Sequence, residues 1–501
     1  ALPISITIKN GSEVGKVDGA YERNGTASGN KAIVNGSTVH GMVAAAEIAQ
    51  TTTHGYVTNN GTTITNSTVT GNVYGGETNR GYAAGNEVTV DGTSEVQANV
   101  YGGRSFLNDI DQIGAAGNTV TIKDKATVET PVYGGWAGGG TNVNGAIINS
   151  TSSAYGNSVE YSSTADNQTD IKIYGGYAVN GDAGQEASGT IGGVEYKGSN
   201  TVNVTGSGTY EMIAGGYSEK GNAASNGTTI DGTKGAVILA AYGGYTESGT
   251  ASKNTMNVEN VNDSQAGLMD TGTIAGGYSD IGNAENNTVT LTNNTSVTDS
   301  VYGGKSGKGN VTGNTVTMTE TKLVGARALA NAYGGYTAAG TASGNKVYVN
   351  NDSYAGSAYG GYTESGDAVS NEAYASDTTL PNLVGGHVNG AGNASSNKAI
   401  MKNSIVSGIA GGETNVGDAT GNTVTMTDSK ATTVYGGSTN AGNASGNIVT
   451  MTGGGSNEVL SVAGGVSLAS GNATDNEVTI TNLTADTAFL SGMPALVGGA
   501  A

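Results

Sequence analysis

Residues 301–319 read Val-Tyr-Gly-Gly-Lys-Ser-Gly-Lys-Gly-Asn-Val-Thr-Gly-Asn-Thr-Val-Thr-Met-Thr. An apolar residue and a Tyr precede a Gly pair. An Asn stands eleven residues after the first Gly, and Thr then alternates with Val and Met. That alternation has the period of a strand with one buried face, and Gly pairs break helices. The same frame returns at Val73–Val90, Ile409–Thr427 and Val434–Thr452. The Gly pair itself begins at Gly75, Gly102, Gly134, Gly175, Gly215, Gly243, Gly276, Gly303, Gly334, Gly360, Gly385, Gly411, Gly436, Gly464 and Gly498, at spacings of 25 to 41 residues.

Two strands in fixed register per unit fit one solenoid coil each, and most units are too short for a four-stranded propeller blade. We read the chain as all-β, a right-handed parallel β-helix (β-solenoid) of about 16 coils, which at strand spacing would make a rod of about 75–80 Å. Residues 1–16 are an N-terminal cap or first strand. Residues 17–72 are degenerate coils starting at Gly19 and near Gly41. Residues 73–495 are regular repeats, with longer inserts in 102–200 that enlarge the corner at Leu107 to Ile113 and Gly138 to Tyr155. Residues 496–501 open a further coil with Leu496-Val497-Gly498-Gly499, so the chain is expected to continue past Ala501 or to dock there on a partner or another copy.

Alternation assigns faces. The residue two before the first Gly is apolar in every copy and is placed inside. The next residue is mostly Tyr after Val or Ala, and mostly Ala or Val after Ile or Leu, which reads as volume compensation at a corner, with Ile173-Tyr174 breaking the pattern. The Gly pair answers a need for positive φ or for close approach of the next coil. Asn86, Asn226, Asn254, Asn287, Asn314, Asn345, Asn371, Asn397, Asn422, Asn447 and Asn476 are read as a structural ladder bonded from coil to coil.

Composition supports this reading. Gly is 86 of 501 residues, while Pro is 4, Phe 2 and Trp 1, so a conventional aromatic core is excluded and β-formers must supply the interior. The net charge of −20, with charged residues only 12%, leaves a mostly neutral polar surface. No basic stripe exists for nucleic acid or for anionic membranes. The absence of Cys excludes disulfides and thiolate sites. No run reaches the ~18 apolar residues of a membrane helix, and Ala1-Leu2-Pro3-Ile4 is no signal peptide.

The units of Val/Ala-Tyr-Gly-Gly, then Gly-Asn-Ala, then Asn-x-Val-Thr resemble the Gly/Asn/Thr-rich passenger repeats of bacterial autotransporter (type V secretion) adhesins over nearly the whole chain. The resemblance implies a right-handed parallel β-helix exported and displayed outside the outer membrane. It also implies an accompanying C-terminal membrane β-barrel, which these residues do not include, so the chain would be a passenger fragment or a released passenger.

Chemistry is sparse. His40, His54 and His387 show no metal-ligand spacing. Asp109 and Asp111, in the insert after Gly103, are the carboxylate pair a glycan-acting β-helix enzyme would need. The turns Gly181-Asp182 and Gly366-Asp367 are candidates for weak calcium binding, and no other cofactor or metal is expected. The residue after Gly-Gly is Trp136, Tyr177, Tyr217, Tyr245 and Tyr278, then, past Lys305, Tyr336, Tyr362 and His387. These aromatics are the candidate ligand-binding stripe, set against self-stacking that stabilises the coils. A Thr-x-Thr array (Thr315 to Thr319, Thr423 to Thr427) resembles ice-binding solenoids but is broken by Lys346, Glu372 and Lys398.

The expectation is a non-enzymatic, extracellular cell-surface adhesin or structural rod binding a protein or carbohydrate, with possible self-association and neither nucleic acid nor a membrane span in this segment. Binding loops are expected in the 102–200 inserts. The alternatives are a self-assembling surface-layer or filament subunit and a polysaccharide-acting β-helix enzyme or spike.

Overall fold

Strand Thr315–Thr319 buries Val316 and Met318 and leaves its three Thr residues partly exposed. It pairs in parallel with Thr288–Thr292 on one side and Lys346–Asn350 on the other, each Thr or its replacement stacked on the equivalent residue. This arrangement recurs throughout the structure, a computed structural model that describes residues 3–23, 25–49, 53–107, 112–129, 131–143, 146–149, 151–166, 168–261, 273–323, 330–453, 458–482 and 495–500. Asp109 and Asp111 lie outside the described residues.

The chain divides into two units, Ala1–Asn257 and Val258–Ala501, and each is a stack of parallel β coils. Together they carry about 15 turns against the roughly 16 read from the repeats. In the first unit, Ser5–Lys9 pairs with Lys31–Asn35, which pairs with Gly61–Thr65, which pairs with Glu87–Asp91, so the N-terminal coils keep the same register as the regular ones. In the second, Thr423–Thr427, Ile448–Thr452 and Glu477–Thr481 do the same. A second sheet in each unit is built from the Gly-Gly segments, such as Val73–Thr78 on Val100–Ser105 and Ala332–Thr337 on Ser357–Thr363. No α-helix occurs among the described residues.

The interior holds the residues that alternation placed there. Val73, Val100, Val132, Ile173, Ile213, Val301, Ala332, Leu383 and Val434 are all fully buried. The Gly pair is required by close approach, not by positive φ. A Cβ on Gly334 would lie 2.4 Å from the carbonyl oxygen of Gly360 in the next coil and 2.5 Å from that of Lys346 in the same coil. A Cβ on Gly335 would lie 2.4 Å from Cγ of Asn345. One Gly therefore admits the backbone of its neighbours and the other admits the ladder Asn.

That ladder is a closed hydrogen-bond system inside the turn. The Asn314 backbone N–H and its Nδ2 both donate to Oδ1 of Asn345, at 3.0 and 2.9 Å. Asn345 Nδ2 donates in turn to Asn371 Oδ1 and to the Val311 carbonyl, both at 3.0 Å. Each buried amide thus satisfies its own donors and a carbonyl that the turn would orphan.

The inserts of 102–200 leave this frame intact. Gly140–Val143 and Ala146–Asn149 form one antiparallel hairpin, and Gly189–Ile191 with Val194–Tyr196 form another. The second folds back on the coils and packs Ile191, Val194 and Tyr196 against Tyr82, Ala84, Ala116 and Tyr155. This hairpin therefore covers its own scaffold.

Candidate functional site

Register is kept on both sides of the first Gly of each pair but not at it: Tyr74 pairs with Tyr101 and Gly76 with Gly103. The chain bends there. The Tyr before the Gly pair follows a fully buried Val, so it lies on the outer face of the strand. The bend then brings it against the aromatic that follows the pair. Tyr174 and Tyr177 meet edge to face at 5.3 Å and 83°, and Tyr333 and Tyr336 at 5.4 Å and 72°. The stack buries these rings all the same, leaving Tyr74 3% and Tyr174 7% exposed. Where Ala214 replaces the Tyr, Met212 two residues earlier reaches Tyr174, its sulfur 3.4 Å from the hydroxyl.

Each unit therefore carries two aromatic columns. In the first unit one column stacks Tyr74, Tyr101, Tyr133 and Tyr174 at 4.9 to 5.2 Å. The other stacks Tyr177 on Tyr217 at 4.7 Å and Tyr217 on Tyr245 at 4.9 Å. Trp136, one coil before Tyr177, packs edge to face on Phe106 at 5.5 Å. In the second unit Tyr336, Tyr362 and His387 stack at 5.3 and 4.9 Å. Lys305, which interrupts the stripe in the sequence, is itself a rung: its Nζ lies 5.1 Å from the Tyr278 ring centre and 4.6 Å from that of Tyr302. Each ring pair contributes about 0.5–1.5 kcal/mol beyond burial. Ring faces are filled by neighbouring rungs, so the columns present ring edges and hydroxyls.

The hydroxyls are organised by carboxylates one coil on. Tyr177 donates to Glu219 and Tyr217 to Glu247, both at 2.7 Å, and Tyr336 donates to Glu364 at 3.2 Å. Burial, then the adjacent carboxylate, pushes these phenols up, Tyr336 to about 12. Burial and Asp280 likewise hold Tyr278 up at about 12. Amides continue the row, with Asn389 Nδ2 donating to Glu364 at 2.6 Å and Asn440 Nδ2 to Asn415 Oδ1 at 2.8 Å.

Towards the N-terminus the same column turns ionic. Glu47, Glu77, Arg104 and Trp136 succeed one another in register. Arg104 bridges to Glu77 at 3.2 Å and sits over Tyr101, Phe106 and Trp136 at 4.8, 4.0 and 5.0 Å. Lys16 joins Asp18 at 3.0 Å and Glu47 at 2.7 Å. The Glu77 side chain is only 12% exposed. Burial raises its carboxyl to about 7, with Arg104 opposing and Glu47 adding to the rise. A carboxyl raised in the folded state costs nothing below pH ~4.5, costs progressively more as pH rises to ~7, and costs about 3 kcal/mol above that. Urea midpoints of wild type should therefore fall between pH 5 and pH 8 relative to those of Glu77→Gln; parallel pH profiles would contradict the assignment.

The sequence-read ladder Asn residues that can be followed are joined as described, for example Asn226 Nδ2 to Asn254 Oδ1 at 3.0 Å and Asn447 Nδ2 to Asn476 Oδ1 at 3.0 Å. The ladder also includes Asn30, Asn60, Asn118, Asn157 and Asn200, which the fixed offset from Gly-Gly missed. Their signal was local: each directly precedes an alternating strand, as in Asn118-Thr119-Val120-Thr121. Asp182 and Asp367, the calcium candidates, each use Oδ1 to accept the N–H of an Asn one coil on, Asn222 at 2.7 Å and Asn393 at 2.8 Å. His40 lies 3.6 Å from Glu13, and His387 Nδ1 lies 3.1 Å from Glu413. Among the described residues no group of three or more His, Cys, Asp or Glu is placed to hold a metal. Comparison of the chain with known protein families, with curated proteins and with solved structures finds no match.

Proposed function

We propose that this β-solenoid is an extracellular cell-surface adhesin or structural scaffold of the autotransporter-passenger kind, which holds a protein or carbohydrate ligand along its outer face. The observation that carries the reading is the column after Gly-Gly. Within each unit it repeats tyrosyl hydroxyls and carboxylates at one coil spacing, Tyr177 and Tyr217 in the first and Tyr336 in the second each being tied to a carboxylate on the following coil. A row of fixed donors and acceptors suits a partner that is itself extended. The neutral polar surface and the absence of a basic stripe point the same way.

A polysaccharide-acting enzyme is the second reading, favoured by the grouping of Asp18, Glu47 and Glu77 with a raised Glu77. We keep the non-catalytic reading because Lys16 and Arg104 engage these carboxylates, as a charge network within the stack requires.

The test uses two triple variants. Tyr177, Tyr217 and Tyr245, stacked in the first unit, keep the stacked rings and lose the hydroxyls when changed to Phe. The same three changed to Ala lose both. The Phe variant should melt within a few degrees of wild type and bind target cells at least ~10-fold less well. The Ala variant should also melt lower. Full cell binding by both variants would end this reading.

A further inference from the structure

The first unit has a groove that the aromatic columns do not touch. It is a cleft of about 510 Å³ lined by Gln112, Ile113, Ser153, Asn180, Asp182 and Lys220 among others. That volume is within the range of about 300–1,000 Å³ typical of small-ligand sites. Ile113 pairs with Ser153, and Ala154, Ala183 and Ala223 bridge in succession, so the lining comes from four consecutive coils. Three coil steps make the groove about 14 Å long, running along the stack.

The chemistry of the lining is specific. The corner is capped by Asn or Asp: Asn222, Asn310 and Asn443, like Asp367 and Asp418, each accept the next coil's N–H on Oδ1. Asp182 does this for Asn222 with Oδ1, while its own N–H donates to Ser153 Oγ at 3.0 Å. An Asn would suffice for the cap, and Oδ2 of Asp182 has no partner among the described residues. Lys220 is exposed at the groove, with no acidic partner among the described residues. The groove thus offers a carboxylate oxygen, an ammonium, the Gln112 amide and an apolar wall at Ile113. Hydroxyl groups that both donate and accept, on a ring with an apolar face, match that set. The chain's net charge of −20 repels a polyanion, and the groove itself balances one acid against one base.

We infer that this groove is a binding site for a short neutral oligosaccharide, held by Asp182 and Lys220 and lying across the four coils. This rests on the reading of the chain as a binding scaffold and gives it a ligand class and a place. The test is calorimetric titration of the whole chain with cellotriose, tri-N-acetylchitotriose, galactotriose and, as the acidic arm, trigalacturonate. At least one neutral trisaccharide should bind. Asp182→Asn, which preserves the corner cap, and Lys220→Gln, at an exposed side chain, should each weaken it ~10-fold with melting unchanged. The inference fails if no neutral trisaccharide binds at ~10 mM, if trigalacturonate binds more tightly, or if both variants bind as wild type does. Cell binding that survives both groove variants and is lost in the triple Phe variant would overturn the groove and leave the scaffold reading standing.

Discussion

Replacing Asn345 with Ala should unfold the coils around it with a loss of about 3–9 kcal/mol, at about one to three kcal/mol for each buried polar group left without a partner. Three such groups are created. The Asn314 backbone N–H and one Asn314 Nδ2 hydrogen lose Oδ1 of Asn345, and the Val311 carbonyl loses its donor. The Asn371 acceptor is spared, because the Asn345 backbone N–H still reaches it at 3.0 Å. The void beside Gly335 adds to the loss. Urea unfolding followed by circular dichroism measures the total. Hydrogen exchange at Asn314, Lys346 and Asn371 should locate it, with protection lost there first. Thr317→Ala, on the outer face of the neighbouring strand, should change stability by less than about 0.5 kcal/mol. An Asn345→Ala protein as stable as that control would mean that the ladder is not what holds the turn.

Gly334→Ala should cost about 3 kcal/mol or more, for a different reason. The added methyl would meet two carbonyl oxygens, of Gly360 and Lys346, at 2.4 and 2.5 Å. Neither can retreat as a side chain would, since Ser357–Thr363 and Lys346–Asn350 are held in parallel pairs by the coils beyond them. The strain therefore has to open the stack. Gly446→Ala makes the informative comparison. Gly446 has φ of 64° and nothing within 4 Å of the added Cβ, so only the left-handed backbone resists it, and the cost should be near 1 kcal/mol. Thermal melting of the two variants should rank them in that order, and equal melting temperatures would remove close approach as the reason for the Gly pair.

These two predictions concern the part of the molecule that is legible without a structure. Thr-Val-Thr-Met-Thr states its own pleat, and an Asn at constant distance from a Gly pair states its own turn, because both are local relations within one coil. Where inserts lengthened the corner the count failed, and Asn118, Asn157 and Asn200 went unread although they are joined across 39 and 43 residues. The amide does not sense the length of chain between two coils, only the register at which the coils stack.

The candidate surfaces divide in the same way. The sequence alone determined that Trp136, Tyr177, Tyr217 and Tyr245 share one position in successive coils, and that apolar residues before each Gly pair point inward. It could not determine what faces that position. The tertiary structure decided that the bend at the first Gly folds a second tyrosine column against the first, that Lys305 and Arg104 serve as rungs, and that ring faces are spent on each other. It also decided that Gln112, Ser153, Asp182 and Lys220 line one groove. Periodicity is a property of neighbours along the chain and is written in the sequence. A groove or a facing column arises from residues brought together by parallel register and a backbone bend, which no single coil contains.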